Sequence, residues 1–292
     1  MYKVIFIFFF SLFLYQCNVG EREIKVDEIN IDETSDESHL IIGNNYFLSG
    51  DKELALKHYM KAIKEDSLNA IIYNNIAEVY ESLEDYDNAA LYFNISLKLD
   101  SLNPFTYNNR GELKEIIHDY NGAMIDFNKA IQVDSFCSIV YVNRGELKLE
   151  LQDLEGARKD YDLCIEIDPN NAVAYNNRGD LKDILGEYQS AILDFNKAIE
   201  INCDYAIAYV NRAYSKKAVK DFNGAMTDYD QSIELDSNQG LFYFDRAELK
   251  FELGDVKGAC DDWEIAKTKG FLFSKYDSLI NEYCKNRSNA VN

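Results

Sequence analysis

Asparagine and acidic side chains recur along this chain at a fixed spacing of 34 residues. In most copies a carboxylate follows the asparagine by three positions, which places both side chains on one face of a helix. An amide offers a hydrogen-bond donor and an acceptor, and a carboxylate accepts hydrogen bonds and attracts cations. The pattern therefore predicts a row of groups that bind a partner non-covalently. The row consists of Asn75, Asn109, Asn143, Asn177 and Asn211, with Glu78, Glu112, Glu146 and Asp180.

These asparagines have a second interpretation, which the sequence leaves open. Each amide could bond to the adjoining copy of the pattern and only position the helices. The two roles are compatible, since one amide can both donate and accept.

The sequence offers no constellation typical of catalysis. Its three histidines, His39, His58 and His118, are scattered, and no glycine-rich phosphate loop or metalloprotease motif is present. The six cysteines lack the paired spacing of metal sites. We therefore expect no enzyme activity, no cofactor, no metal and no small-molecule substrate.

Two of the cysteines lie toward the end of the chain, at Cys260 and Cys284. In an oxidising compartment they could pair and fasten the C-terminal segment to the preceding helices. Two independent thiols are the alternative.

An apolar run of 12 residues, VIFIFFFSLFLY, follows Lys3 near the N-terminus. Crossing a bilayer takes about 20 residues, so the run is typical of a secretory signal peptide rather than a transmembrane helix. A buried core helix is a weaker alternative, because an acidic segment follows immediately.

The end of this run, Leu14-Tyr15-Gln16-Cys17, resembles a bacterial lipoprotein box, although Gln16 stands where a small residue is usual. We predict a signal peptide over 1–16, followed by a lipid-attachment Cys17 and an acidic tether over 17–35. Two acyl chains would anchor the protein stably to a membrane. This predicts a location in the bacterial cell envelope, in the periplasm or on the outer membrane. A plain signal peptide and a secreted protein are the alternative.

The helices expected to position this row of asparagine and acidic residues recur with the same 34-residue spacing. Seven blocks of 34 residues follow one another without insertion, and each carries a central alanine and an aromatic residue four positions later. This spacing is typical of one helix face. The blocks are 36–69, 70–103, 104–137, 138–171, 172–205, 206–239 and 240–273.

The pattern resembles the tetratricopeptide repeat (TPR) family, in which each repeat is a helix–turn–helix unit. Block two shows it most fully, with Tyr73, Ala77, Tyr80, Ala89 and Phe93 at the expected offsets. The resemblance implies an all-α fold, an α-solenoid in the form of a right-handed superhelix, because stacked helix pairs share one continuous core. It also implies that the asparagine row faces a concave groove. Residues 274–292 are expected to form a capping helix.

Charged residues depart from the family pattern in a regular way. Blocks three to seven carry arginine at position 7, lysine at position 11 and aspartate at position 23. We expect these residues to form a ladder of partly buried salt bridges. A basic stripe that binds acidic ligands is the alternative.

The formal net charge of −21 bears on the partner. Phosphate binding requires clustered lysine and arginine, so nucleic acid is not expected. The family resemblance and the charge together predict a scaffold that binds a basic or neutral protein or peptide in its groove. The alternative is a structural component that docks into a surface complex by its ends or by its convex face.

Overall fold

The computed structural model describes residues 38–271 and 283–284. This part of the chain is helical, and no β-strand occurs in it. The predicted signal peptide, Cys17 and the acidic tether lie outside the described residues, as does most of the predicted cap over 274–292. None of the helices within residues 38–271 combines the length and apolar composition needed to cross a membrane.

The chain divides into two compact units, residues 1–101 and 102–292. Within its described residues, 38–101, unit 1 contains two helix pairs, in which each first helix packs against the second helix that follows it. Its helices are α1 (His39–Leu48), α2 (Lys52–Glu65), α3 (Ala70–Ser82) and α4 (Tyr86–Leu99).

Unit 2 contains five helix pairs built in the same way. Its helices are α5 (Pro104–Ile116), α6 (Tyr120–Val133), α7 (Ser138–Glu150), α8 (Leu154–Ile167), α9 (Ala172–Ile184), α10 (Tyr188–Ile201), α11 (Ala206–Ala218), α12 (Phe222–Leu235), α13 (Gly240–Glu252) and α14 (Val256–Thr268).

The turn inside each pair both ends one helix and starts the next. After α11, the backbone N–H of Asp221 donates to the carbonyl oxygen of Lys216, and that of Lys220 donates to Lys217. These two hydrogen bonds close the helix end. They require a residue in the left-handed backbone conformation, which here is Lys220 with φ +67°. The Asp221 side chain then accepts from the N–H of Gly224 and caps α12.

Each pair is held together by an aromatic ring under a small residue of the first helix. A Cβ added at Gly145 would lie 2.6 Å from the ring of Tyr161, so only glycine permits this approach. The same relation joins Gly111 to Phe127. The aromatic rings and the central alanines are buried, and their burial is the main favourable term in folding.

The first helices of unit 2 form a continuous face. Each of α5, α7, α9, α11 and α13 contacts the next one in this series. Among the described residues of unit 2, by contrast, no second helix contacts another second helix. The first helices are therefore closer together, as on the inner side of a curved stack. These findings confirm the predicted all-α fold of the α-solenoid class.

Candidate partner-binding face

The predicted asparagines of unit 2 lie on the face formed by α5, α7, α9, α11 and α13, which we call the first-helix face. Their amides join neighbouring repeats. Asn143 on α7 donates to Asn108 Oδ1 at 3.0 Å and to Glu112 Oε1 at 2.9 Å, both on α5. Asn211 on α11 donates to Asn176 Oδ1 on α9 at 3.1 Å.

The carboxylates of the predicted row take part in the same network. Asn177 donates to Glu146 on the preceding first helix, and Asn108 donates to Glu112 within α5 at 2.9 Å. Asn109 and Asp180 are partly buried on α5 and α9. The amides thus connect successive repeats, as the positioning role requires. Binding of a partner by the same residues stays a prediction.

Unit 1 repeats this arrangement on α1 and α3. Asn75 donates to Asn44 Oδ1 at 2.8 Å, and Asn74 donates to Glu78 Oε1 at 2.8 Å. The hydroxyl of Tyr59 also donates to Asn44 Oδ1, at 2.8 Å.

Carboxylates lie close together on the first-helix face of unit 2. Burial, followed by the negative charges of Glu146 and Glu150, raises the pKa of Glu115 to about 7. The pKa of Glu146 is also raised to about 7 by burial, although its hydrogen bond from Asn177 acts in the other direction. Because water reaches the Glu146 side chain, we expect its shift to be smaller than that of Glu115. Glu150 accepts a hydrogen bond from the hydroxyl of Tyr120 at 2.6 Å.

The positive residues of the repeats are engaged elsewhere. Asp160 is buried, and it accepts from Arg144 Nε at 2.8 Å and Nη2 at 2.6 Å while Lys148 Nζ lies 2.7 Å away. Such a two-pronged contact suits the planar guanidinium group. This confirms the predicted salt-bridge ladder, which repeats in all five pairs of unit 2.

Each arginine of the ladder also makes contacts that sequence reasoning missed. Arg144 Nη1 donates to Asn128 on the second helix of the preceding pair at 2.7 Å, and its guanidinium lies over the ring of Tyr141, 5.6 Å from the centroid. Arg178 contacts Asp162 in the same way at 2.7 Å. The 34-residue recurrence of Asn or Asp two positions after the ladder aspartate was a signal that could have revealed this link.

Cys260 and Cys284 are joined by a disulfide, with their Cα atoms 5.7 Å apart. The neighbouring Tyr283 packs its ring against Phe251, with centroids 5.0 Å apart. The oxidising compartment in which such a bond persists stays a prediction. Within the described residues, no group of three or more His, Cys, Asp or Glu side chains is arranged to hold a metal ion.

Comparison with known proteins places this geometry in a family. Models described as tetratricopeptide repeat match residues 42–104, 139–171, 161–192 and 206–239, which together make up more than half of the chain. Over 47 residues the chain is 43% identical to stress-induced-phosphoprotein 1 of Caenorhabditis elegans, and this match covers 16% of the chain but only 15% of that protein.

Solved structures share the fold at low sequence identity. A tetratricopeptide repeat protein from Parabacteroides merdae superposes with a TM-score of 0.62 at 20% identity, covering 85% of this chain and 96% of that one. PilF of Pseudomonas aeruginosa gives a TM-score of 0.64 at 20% identity, covering 73% and 96%. The Cut9–Hcn1 complex of the APC/C gives 0.72 at 14% identity, covering 87% and 50%.

Proteins built from these repeats bind protein or peptide partners and act as scaffolds for protein–protein interaction. The repeat motif, the helix pairs and the structural likeness all agree. This chain belongs to the tetratricopeptide repeat family.

Proposed function

We propose that this protein is an exported, lipid-anchored scaffold that holds a peptide or a partner protein on its first-helix face. The observation that carries the proposal is the continuous contact of successive first helices in unit 2. A face made of five adjoining helices offers an extended surface on which several repeats can grip one ligand at once.

The side chains on this face suit a partner with both apolar and polar groups. Phe105, Val173 and Ile207 occupy the same position in three repeats and are 41%, 41% and 37% exposed. Carboxylates such as Glu146 and Asp180 lie on the same first helices. Apolar side chains open to water favour association, and the carboxylates favour basic or neutral partners over acidic ones.

A pair of photo-crosslinking variants within one repeat tests the proposal. Val173 on α9 belongs to the first-helix face, whereas Leu193 on α10 is 68% exposed on the second helix. Each is replaced by a photoreactive phenylalanine analogue in the native cell. We expect protein adducts from position 173 and none from position 193. Adducts from position 193 alone would overturn the proposal.

That second outcome has a structural basis of its own. Leu193 and Ile125 occupy the same position of their repeats on the second helices and are 68% and 66% exposed. They favour a candidate function in which the protein docks into an assembly through its second helices. Crosslinks from position 193 would support this function.

The proposed anchor rests on the sequence around Cys17, which lies two residues after a 12-residue apolar run. We expect the wild-type protein to sediment with membranes and a Cys17→Ala variant to be released from them, since lipid attachment requires the thiol. Fractionation followed by immunoblotting measures this. Identical partition of both proteins into the soluble fraction would contradict the lipid anchor.

A further inference from the structure

Three carboxylates lie close together where α5 and α7 adjoin on the first-helix face. Glu115 comes from α5, and Glu146 and Glu150 come from the next first helix. Glu146 and Glu150 are close enough to Glu115 to affect its pKa, which burial and their negative charges together raise to about 7. We call Glu115, Glu146 and Glu150 the carboxylate cluster.

The neighbouring arginine and lysine side chains pair with aspartates outside this cluster. Arg110 and Lys114 on α5 bind Asp126, and Arg144 and Lys148 on α7 bind Asp160. Glu146 and Glu150 instead accept hydrogen bonds from neutral groups, Asn177 and Tyr120. Within residues 38–271 the cluster forms no ion pair, so a bound cation would reduce the repulsion between its like charges.

A buried tyrosine hydroxyl in the repeat that carries Glu146 gives independent evidence of a ligand. Tyr161 on α8 is fully buried, and its hydroxyl has no hydrogen-bond partner among the described residues. Leaving such a group unsatisfied costs about 1–3 kcal/mol. A buried polar group without a partner calls for an explanation.

The ring of Tyr161 lies beside the residue that precedes Glu146 on α7. The Cζ end of its ring lies 3.2 Å from the place a Cβ would take on Gly145, the residue before Glu146. Beyond the effect of burial, the charges of Glu146, Asp180, Asp160 and Glu115 raise its pKa, in decreasing order. In unit 1 the corresponding Tyr59 donates to Asn44, which follows Gly43 as Glu146 follows Gly145.

We propose that the carboxylate cluster, with the Tyr161 hydroxyl as its floor, is the anchor site for a lysine or arginine side chain of an extended basic partner. This inference rests on the proposed function of the first-helix face and names the chemistry of its ligand. The exposed Glu146 side chain turns toward the incoming cation, and the Tyr161 oxygen gains a hydrogen-bond donor.

The repeat geometry adds a spacing rule for the partner. The next first helix, α9, offers Asp180 on the same face. Packed helices lie about 8–10 Å apart, and an extended chain advances about 3.3 Å per residue. A partner with a basic residue at about every third position therefore meets a carboxylate on each of the three successive first helices α5, α7 and α9.

Fluorescence anisotropy on the full chain in detergent tests the site with two nine-residue peptides of equal composition. One has the sequence Lys-Ala-Ser repeated three times, and the other has its three lysines together at one end. We expect the spaced peptide to bind at least about tenfold more tightly, since each further anchored group multiplies the affinity. Equal affinities would show only general attraction to an acidic protein and would overturn the inference.

Three variants locate the binding. Removing two charges in Glu115→Gln/Glu146→Gln should weaken binding of the spaced peptide by at least about tenfold. Glu166→Gln, on the exposed surface of the second helix α8, is the matched control and should bind as the wild type does. Unchanged binding by the double variant would contradict the site.

The third variant, Tyr161→Phe, distinguishes a role of the hydroxyl in binding from a role in stability. Phenylalanine already fills the same position as Phe127 and Phe195, so the variant should fold and melt no lower than the wild type. It should bind the spaced peptide about tenfold more weakly, as expected for a lost hydrogen bond to a charged group. Unchanged binding by this variant would remove Tyr161 from the site.

Crosslinks from position 173 without any peptide binding would leave the proposed function standing while this inference fails.

Discussion

At the scale of single residues, the buried aspartates of the ladder carry a large part of the stability of each helix pair. Asp160 accepts three charged hydrogen bonds or ion pairs from Arg144 and Lys148, and its side chain is only 2% exposed. Losing one member of a buried ion network leaves the remaining charges without compensation.

Asp160→Ala is therefore expected to lower the free energy of unfolding by about 3–5 kcal/mol, because two cations then face each other in a buried site. Asp162→Ala on the same helix is the control. Asp162 also pairs with an arginine, Arg178, but its side chain is 52% exposed, so its loss should cost at most about 1 kcal/mol. Urea unfolding measures both, and equal losses would contradict the assigned importance of burial.

The raised pKa of Glu115 predicts an unusual pH dependence. The unfolded carboxyl titrates near 4.5, whereas in the folded protein the pKa is about 7. Between these values the folded state holds more protons, so the free energy of unfolding falls as the pH rises through this window. The charged groups that act on Glu115 are Glu146 and Glu150 on α7. Glu150 is bonded to Tyr120 on α6, whose hydroxyl lies 3.0 Å from Nδ1 of the titratable His118.

Glu115→Gln removes one of these titrations. We expect the variant to be more stable than the wild type at pH 8 and to lose less stability between pH 5 and pH 8. Chemical denaturation across this range gives the comparison. A wild-type stability that rises with pH over the same window would contradict the assignment.

At the scale of the elements, the turns inside the helix pairs show where local sequence is suboptimal. All seven turns have a residue with positive φ at the same position, and glycine occupies it only at Gly50, Gly186 and Gly254. The other four are Glu84, His118, Gln152 and Lys220. A side chain in this backbone conformation costs about 1–2 kcal/mol.

Lys220→Gly is accordingly expected to stabilise the protein by about 0.5–1 kcal/mol, since the relief of strain exceeds the added chain entropy of glycine in the unfolded state. The same substitution at Lys159, exposed inside helix α8, should destabilise by about 1 kcal/mol. Thermal melting of both variants distinguishes them by sign. A loss of stability in Lys220→Gly would contradict the backbone argument.

At the scale of the whole molecule, the sequence predicted the features that depend on period. Helix pairs, the buried alanine and aromatic positions and the link between Arg144 and Asp160 all follow from a 34-residue recurrence. A helix has fixed geometry, so spacing alone determines which side chains share a face.

What the sequence could not supply depends on the contacts between repeats. The row of asparagines was placed on a helix face, but i and i+3 spacing does not say whether Asn143 meets a ligand or Asn108 of the preceding repeat. The hydrogen bond from Arg144 to Asn128 could not be predicted for the same reason. The Tyr161 hydroxyl, which has no hydrogen-bond partner among the described residues, could not be predicted, because tyrosine and phenylalanine fill that position equally well as apolar rings.

The central claim is that the partner lies on the first-helix face, and carboxyl footprinting of the native complex tests it most directly. A soluble carbodiimide and an amine label exposed carboxylates with and without the partner, and mass spectrometry reads the labelled sites. We predict that the partner protects Glu146 and Glu150 on α7 while Glu155 and Glu166 on α8 are labelled equally in both states. Protection confined to Glu155 and Glu166, with Glu146 labelled as before, would place the partner on the second helices and contradict the claim.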